Sequence, residues 1–172
     1  MSAHPWMAGL AGISLSLFVF SGALFAQTEQ EAVVKPAKPG MLELWSPGDS
    51  GQRMRIRVRV FGKDGQPLPN VTIRFRHADS EGIDWSYHQG EVVTNERGVY
   101  QFGSVIPGNS HRLSHVHVYV SHPGYVYLDT EFYFKEDPKA NPDNPNSIFL
   151  EEGNIDGEKM MYGRWDITLV PQ

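Results

Sequence analysis

The segment MRIRVRV, residues 54–60, alternates apolar and charged side chains without a break. Met54, Ile56, Val58 and Val60 form the apolar half of the pattern, and arginines form the other half. A period of two is the spacing of a β-strand, in which successive side chains point to opposite faces. The segment therefore predicts a strand with one face in a hydrophobic core.

The charged half of this strand is a row of four arginines, Arg53, Arg55, Arg57 and Arg59. We interpret the row as a solvated strand face, with an anion-binding or membrane-surface site as the alternative. If the strand lay at the edge of a sheet, the row would also discourage pairing with another sheet.

The same period of two recurs along the rest of the chain. Clusters of Gly, Pro, Asn and Asp separate the apolar segments, and no ten-residue segment shows the spacing of an amphipathic helix. We therefore predict an all-β fold over residues 54–172, an antiparallel β-sandwich of about seven or more strands, with no helix longer than two turns. The other predicted strands are VTIRFRHA (71–78), GEVV (90–93), GVYQFGSV (98–105), HVHVYV (115–120), YLDTEFYF (127–134) and RWDITLV (164–170).

The composition of the 172-residue chain excludes several kinds of function. A formal net charge of −5 argues against nucleic acid as a partner, because binding nucleic acid requires a basic surface. The chain has no cysteine, which excludes disulfides, thiolate metal sites and cysteine catalysis. The side chains left to bind a metal are those of His, Asp, Glu and Tyr.

The first 26 residues differ in composition from the rest. MAGLAGISLSLFVFSGALFA, residues 7–26, carries no charge and ends in small residues before a polar segment. This predicts a signal peptide over residues 1–26 and export to the periplasm or the extracellular space, with no stable membrane span after cleavage. A retained membrane anchor is the alternative, and N-terminal sequencing of the exported protein separates the two. Residues 27–53 are predicted as an N-terminal tether and lead-in.

The predicted strand HVHVYV places two histidines on one face. Val116, Val118 and Val120 point to the core side, whereas His115 and His117 point to the other. Two imidazoles on the same face of a strand are close enough to share a metal ion. Periodicity alone leaves open whether they form a metal site or a solvated face.

These histidines lie within a longer pattern. GVYQFGSVIPG (98–108), followed by RLSHVHVYVSHPGYVYLDTEFYFKEDP (112–138), resembles the signature of the intradiol ring-cleavage dioxygenases, the protocatechuate and catechol dioxygenase family. The likeness extends from about residue 54 to residue 170. The matched positions are Arg112, His115 and His117 of an Arg-x-x-His-x-His motif, then Tyr133-Phe134 and Asp137-Pro138.

The resemblance implies a β-sandwich that holds a mononuclear non-haem Fe(III), bound by two histidines and two tyrosines. His115 and His117 carry over as ligands, and Arg112 carries over as the catalytic cation that stabilises an anionic substrate. The implied partners are a small aromatic diol, a catechol, and O₂, both atoms of which enter the ring-opened product.

The tyrosine half of the implied ligand set departs from the family pattern. The short loop after Pro107-Gly108 has no tyrosine, so His111 is the metal-capable side chain there. The other tyrosine position corresponds to Asp84, with Tyr87 close by. We expect Fe(III), with copper or another divalent metal as the alternative. The second function hypothesis is a β-sandwich binding module, either metal-binding without catalysis or metal-free.

Overall fold

The structure is a computed structural model that describes residues 40–83, 88–110, 112–155 and 157–172. These residues belong to one compact unit, Ala32–Gln172. The predicted signal peptide and the tether up to residue 39 lie outside the described residues. Within the described ranges, no helix is long and apolar enough to cross a membrane.

Ten β-strands make up the described part of the chain, which contains no α-helix, and the all-β prediction is confirmed. Three of the strands, the first, eighth and ninth, have no counterpart among the predicted segments. The strands are β1 (Met41–Glu43), β2 (Arg53–Gly62), β3 (Thr72–Arg76), β4 (Gln89–Val93), β5 (Val99–Val105), β6 (His115–Ser121), β7 (Leu128–Phe134), β8 (Ser147–Ile148), β9 (Leu150–Ile155) and β10 (Glu158–Leu169).

The strands form two five-stranded sheets, ordered β1-β5-β2-β10-β9 and β4-β3-β6-β7-β8. Alternate residues of both sheets supply one core, which includes Ile56 and Val58 from the first sheet and Val118 from the second. The rings of Phe75 on β3 and Phe102 on β5 stack across the two sheets with centroids 4.7 Å apart. Burial of each such side chain stabilises the folded state by about 1.5–3 kcal/mol. The predicted sandwich is therefore confirmed, with the predicted apolar positions inside.

The pairing of the strands is mixed, which differs from the antiparallel arrangement that we predict from sequence. Neighbours joined by a turn, such as β6 and β7, pair antiparallel. However, β10 pairs parallel to β2, β1 parallel to β5, and β8 parallel to β7. The direction of a strand that returns from a distant part of the chain is set by tertiary packing, so local patterns do not report it.

The arginine row lies on the central strand of its sheet and not on an edge, because β2 is flanked by β5 and β10. Arg59 donates to Asp166 on β10, with Nε 2.8 Å from Oδ1. Arg53 and Arg55 both approach the carboxylate of Glu43 on β1, and Arg55 is only 6 % exposed. The interpretation as a uniformly solvated face is therefore wrong for Arg55, whose charge is compensated by an acid two strands away.

Candidate metal centre

The candidate site lies on the outer face of the second sheet, where β6 begins and β7 ends. Val116 and Val118 of β6 are fully buried, so His115 and His117 project from the opposite face. The antiparallel register of β6 and β7 pairs His117 with Glu131 and His115 with Tyr133. Strand alternation and register together collect these side chains into one cluster.

The two imidazole rings direct the same nitrogen towards each other. Nδ1 of His115 meets the carbonyl oxygen of Leu113, and Nδ1 of His117 lies 3.1 Å from Oε1 of Glu131. Both partners are acceptors, and a proton on Nδ1 of each ring would leave on Nε2 the lone pair that a metal ion requires. The two Nε2 atoms are 3.3 Å apart. Two metal-bound imidazole nitrogens, each about 2.0–2.1 Å from one ion, are separated by about 3.3 Å at a tetrahedral angle and about 2.9 Å at an octahedral one. The donor pair therefore fits a single metal ion.

Glu131 accepts hydrogen bonds from several sides of this cluster. The hydroxyl of Tyr133 donates to Oε2 at 2.6 Å, and Nη2 of Arg112 lies 3.5 Å from Oε1. Burial alone would raise the pKa of Glu131, but the Tyr133 hydrogen bond and the electrostatic interactions with His115, His117 and Arg112 outweigh it, and the pKa is lowered. The carboxylate is therefore anionic at neutral pH. With the two histidines it forms a group whose ligand atoms all lie within 4.8 Å of one another.

The electrostatics keep the other members of the cluster in a form suited to metal binding. The pKa of His117 is lowered, chiefly by burial, and the electrostatic interactions with His115 and Arg112 add to this effect against the opposing charge of Glu131. A neutral imidazole is the form that binds a metal. The pKa of Tyr133 is raised, first by its hydrogen bond to Glu131 and then by burial, so Tyr133 remains a phenol that holds the carboxylate in place.

Two loops, one of which leads towards β6, pack backbone against backbone. The amide of Gly108 donates to the carbonyl of Asp79 at 2.8 Å, and Oγ of Ser110 donates to the carbonyl of Gly82 at 2.8 Å. A Cβ atom on Gly108 would lie 2.6 Å from the amide nitrogen of Gly82, so the close approach requires a glycine. This contact fixes the chain segments that precede the predicted ligands Asp84 and His111.

The side chains of Asp84, Tyr87 and His111 lie outside the described residues. Their assignment as metal ligands stays a prediction. Of the sequence-predicted site residues, the structure brings together His115, His117 and Arg112. It adds Glu131, which is not among the site residues predicted from sequence. Glu131 lies opposite His117 across the β6–β7 hairpin, so predicting it as a site residue requires the register of that hairpin.

The acidic-Pro segment that follows β7 anchors the start of β6. Oδ2 of Asp137 accepts from the amide of Ser114 at 3.1 Å, and the Ser114 hydroxyl donates to the carbonyl of Pro107. Burial acts to raise the pKa of Asp137, but hydrogen bonds from the amides of Lys139 and Ser114 outweigh it and lower the pKa. This carboxylate thereby fixes the segment from which Arg112 and His115 project.

A second pair of histidines is buried beside the candidate site. The rings of His77 and His88 stack with centroids 4.8 Å apart. Nε2 of His77 is bonded to Oγ of Ser104 at 2.8 Å, and Nδ1 to the carbonyl of Ala78 at 2.6 Å. Since both nitrogens of His77 are bonded within the protein, this ring has a structural role. Burial lowers the pKa of His77 to about 3, and the nearby His88 adds to the effect.

The lowered pKa of His77 makes the stability depend on pH. The unfolded chain binds a proton at this side chain near pH 6.5, whereas the folded protein does so only near pH 3. Stability is therefore lost as the pH falls below 6.5. From pH 7 to pH 5, we expect His77 to lower the free energy of unfolding by about 2 kcal/mol. Urea denaturation at both pH values should give a smaller pH effect in His77→Gln, and an equal effect would contradict this expectation.

Fold and site together define an intradiol dioxygenase-like β-sandwich. Residues 32–170 match the dioxygenase family model Dioxygenase_C. The chain therefore belongs to the intradiol ring-cleavage dioxygenase family, which confirms the resemblance seen in the sequence.

The chain is similar to several proteins of known activity. It is 30% identical to catechol 1,2-dioxygenase 2 of Acinetobacter lwoffii in an alignment that covers 60% of this chain and 47% of that protein. It is 25% identical to chlorocatechol 1,2-dioxygenase of Rhodococcus opacus in an alignment that covers 76% of this chain and 64% of that protein. The chain thus spans about half the length of the first of these relatives.

Solved structures share the fold. The dioxygenase domain of a dioxygenase carbohydrate-binding protein fusion from Streptomyces sp. SirexAA-E superposes with a TM-score of 0.65 at 25% identity, covering 80% of this chain and 92% of that one. Catechol 1,2-dioxygenase from Pseudomonas arvilla C-1 gives a TM-score of 0.67 at 21% identity, and the superposition covers 79% of this chain and 59% of that one. The second likeness shows the fold alone.

Proposed function

We propose that this protein is an oxygen-dependent dioxygenase that opens the ring of a catechol between its two hydroxyl-bearing carbons. Both atoms of O₂ enter the product, in which each of the two carbons becomes a carboxylate. The observation that supports this most strongly is the geometry of His115 and His117, whose Nε2 atoms converge at 3.3 Å inside a chain of the intradiol family.

Each described residue of the site has a part in this proposal. His115 and His117 hold the metal through Nε2. Glu131 acts through His117, because a carboxylate on Nδ1–H orients the ring and makes Nε2 a stronger donor. The Arg112 guanidinium is 62% exposed at the edge of the cluster, where its charge can stabilise a catecholate. The bound metal supplies the site at which a catecholate becomes activated towards O₂.

The metal that we propose is Fe(III), with copper or another divalent metal as the alternative. Phenolate oxygen favours ferric iron, so the proposal of Fe(III) requires Tyr87 to complete the ligand set. A set made of histidines, including His111, and the carboxylate of Asp84 or Glu131 favours a divalent ion instead. A visible phenolate-to-iron charge-transfer colour after iron loading distinguishes the first set from the second.

Oxygen uptake with a panel of catechols tests the proposed activity. We expect iron-loaded protein to consume O₂ well above the rate of free iron. Replacing Arg112 by alanine should lower kcat/KM by about 10²–10³-fold, because a fixed positive charge on the developing anion is lost. Arg57→Ala serves as the matched control, since Arg57 is an exposed arginine on the opposite sheet.

The same experiment can refute the proposal. If iron-loaded protein consumes no oxygen above free iron with any catechol, the dioxygenase proposal is wrong. The second hypothesis, a binding module that uses the same fold without turnover, then takes its place.

A further inference from the structure

A shallow pocket lies on the same sheet face as the candidate metal centre, at the far end of β6. Its volume is about 400 Å³. Three aromatic rings and three polar side chains line it: His122, Tyr125, Tyr127, Thr72, Ser121 and Gln172. None of these residues belongs to the proposed catalytic site.

One strand connects the pocket to the candidate metal centre. His117, Tyr119 and Ser121 project from the outer face of β6 in sequence, and Ser121 lines the pocket. The Tyr119 ring is stacked against His117, with an interplanar angle of 8° and centroids 6.4 Å apart. Four residues of strand place the pocket roughly 13 Å from His117. This separation exceeds the size of a single catechol ring.

The lining of the pocket suits a flat ring that carries hydroxyl groups. The side chain of Tyr127 is 59% exposed, although large aromatic side chains normally contribute to a core or to a binding surface. Its ring offers an apolar face for stacking, and the neighbouring Ser121 and Thr72 offer hydroxyls for hydrogen bonds. The pocket thus combines a stacking surface with polar groups around it.

The walls of the pocket are held in position before any ligand binds. The rings of His122 and Tyr125 meet edge to face with centroids 5.2 Å apart. Gln172 donates its side-chain amide to the carbonyl of Tyr125 at 3.0 Å and its backbone amide to the carbonyl of Gly124 at 3.0 Å. A rigid wall lowers the entropic cost of binding a ring.

We propose that this pocket binds a second, hydroxylated aromatic ring of the substrate. A catechol at one end of the molecule lies at His115 and His117, and a linked phenolic ring lies against Tyr127. The preferred substrates are then multi-ring phenols that carry a terminal catechol. This inference rests on the proposed function, because it assigns the other end of the substrate to the metal centre.

Two substrates and two variants test the pocket. Catechol itself is compared with catechol joined to a phenol through an alkyl chain that spans the roughly 13 Å between the two sites. We expect kcat/KM to be about tenfold higher for the linked substrate, which corresponds to one aromatic contact. Tyr127→Ala should abolish this preference and leave turnover of catechol unchanged. Phe149→Ala is the matched control, because Phe149 is a similarly exposed ring outside the pocket.

Direct binding separates a failure of the pocket from a failure of the enzyme. A two-ring phenol without adjacent hydroxyls, titrated by NMR, should shift the resonances of His122 and Tyr125 in the wild type and not in Tyr127→Ala. If these shifts occur but the protein does not cleave catechol, the proposed binding pocket is supported and the proposed function is wrong. Two outcomes would overturn the aromatic-ring proposal. In the first, catechol and the linked substrate are cleaved equally well. In the second, the pocket binds a sugar such as cellobiose and does not bind the phenol.

Discussion

Replacing His115 and His117 together by alanine is expected to remove the bound metal and all metal-dependent activity. Metal analysis of the wild type should find close to one equivalent, and the double variant should retain almost none. The expectation follows from the two Nε2 atoms, which converge at 3.3 Å because Nδ1 of each ring is bonded to an acceptor. Loss of both donors leaves Glu131 as the one member of the described group that can bind a cation.

A milder change tests how the site is organised. Glu131→Gln keeps an acceptor opposite Nδ1 of His117 but loses the negative charge, and we expect metal affinity to fall by about 10–100-fold. The double variant Arg74→Ala, Glu91→Ala serves as the control, since it removes an exposed ion pair from the same sheet face. If the histidine double variant keeps one equivalent of metal, the centre lies elsewhere in the chain.

Gly108→Ala is expected to destabilise the protein strongly. A Cβ atom at this position would meet the backbone of residues 80–82, with the carbonyl carbon of Glu81 and the amide nitrogen of Gly82 both 2.6 Å away. Backbone atoms cannot rotate away as a side chain can, so the two loops must separate. We expect a loss of about 1–3 kcal/mol in the free energy of unfolding and a Tm lower by roughly 5–10 °C.

The same substitution at Gly153 is the matched control. No atom lies within 4 Å of a Cβ built there, so Gly153→Ala should change stability by no more than about 0.5 kcal/mol. Thermal unfolding of both variants measures the difference. Equal Tm values would show that the two loops separate without cost, contrary to the packing described for them. Metal affinity of Gly108→Ala should also fall, because the displaced loop precedes Arg112 and His115.

The sequence predicts the parts of the fold whose side chains follow a regular period. In β6 the alternation of valine and histidine identifies the core face and the shared face of His115 and His117 without reference to the rest of the molecule. In β9 the segment LEEGNI has no alternation, and β1 and β8 contain only three and two residues. Their pairing depends on neighbouring strands, so no local pattern predicts them.

The candidate site shows the same division between local and long-range information. His115 and His117 lie two residues apart, and strand geometry alone brings them together. Glu131 joins them only because the β6–β7 hairpin adopts one register, since a shift of one residue would turn its side chain to the core. The Gly82–Gly108 contact joins two loops that are separated by β4 and β5, and its signal in the sequence is only that both residues are glycine.

The parallel pairing of β2 with β10 has a consequence for how the chain folds. Arg59 and Asp166 are partners across this pair, yet they are 107 residues apart in sequence. Strand β10 therefore occupies an interior position in its sheet next to β2, although the two strands lie far apart in the chain. Such distant contacts slow folding, since a long loop must close before they form. Before β10 pairs with β2, β2 is an open edge of the sheet, and its arginine row then disfavours aggregation with other chains. The arginines that form ion pairs in the folded sheet thus also disfavour aggregation of the partly folded sheet.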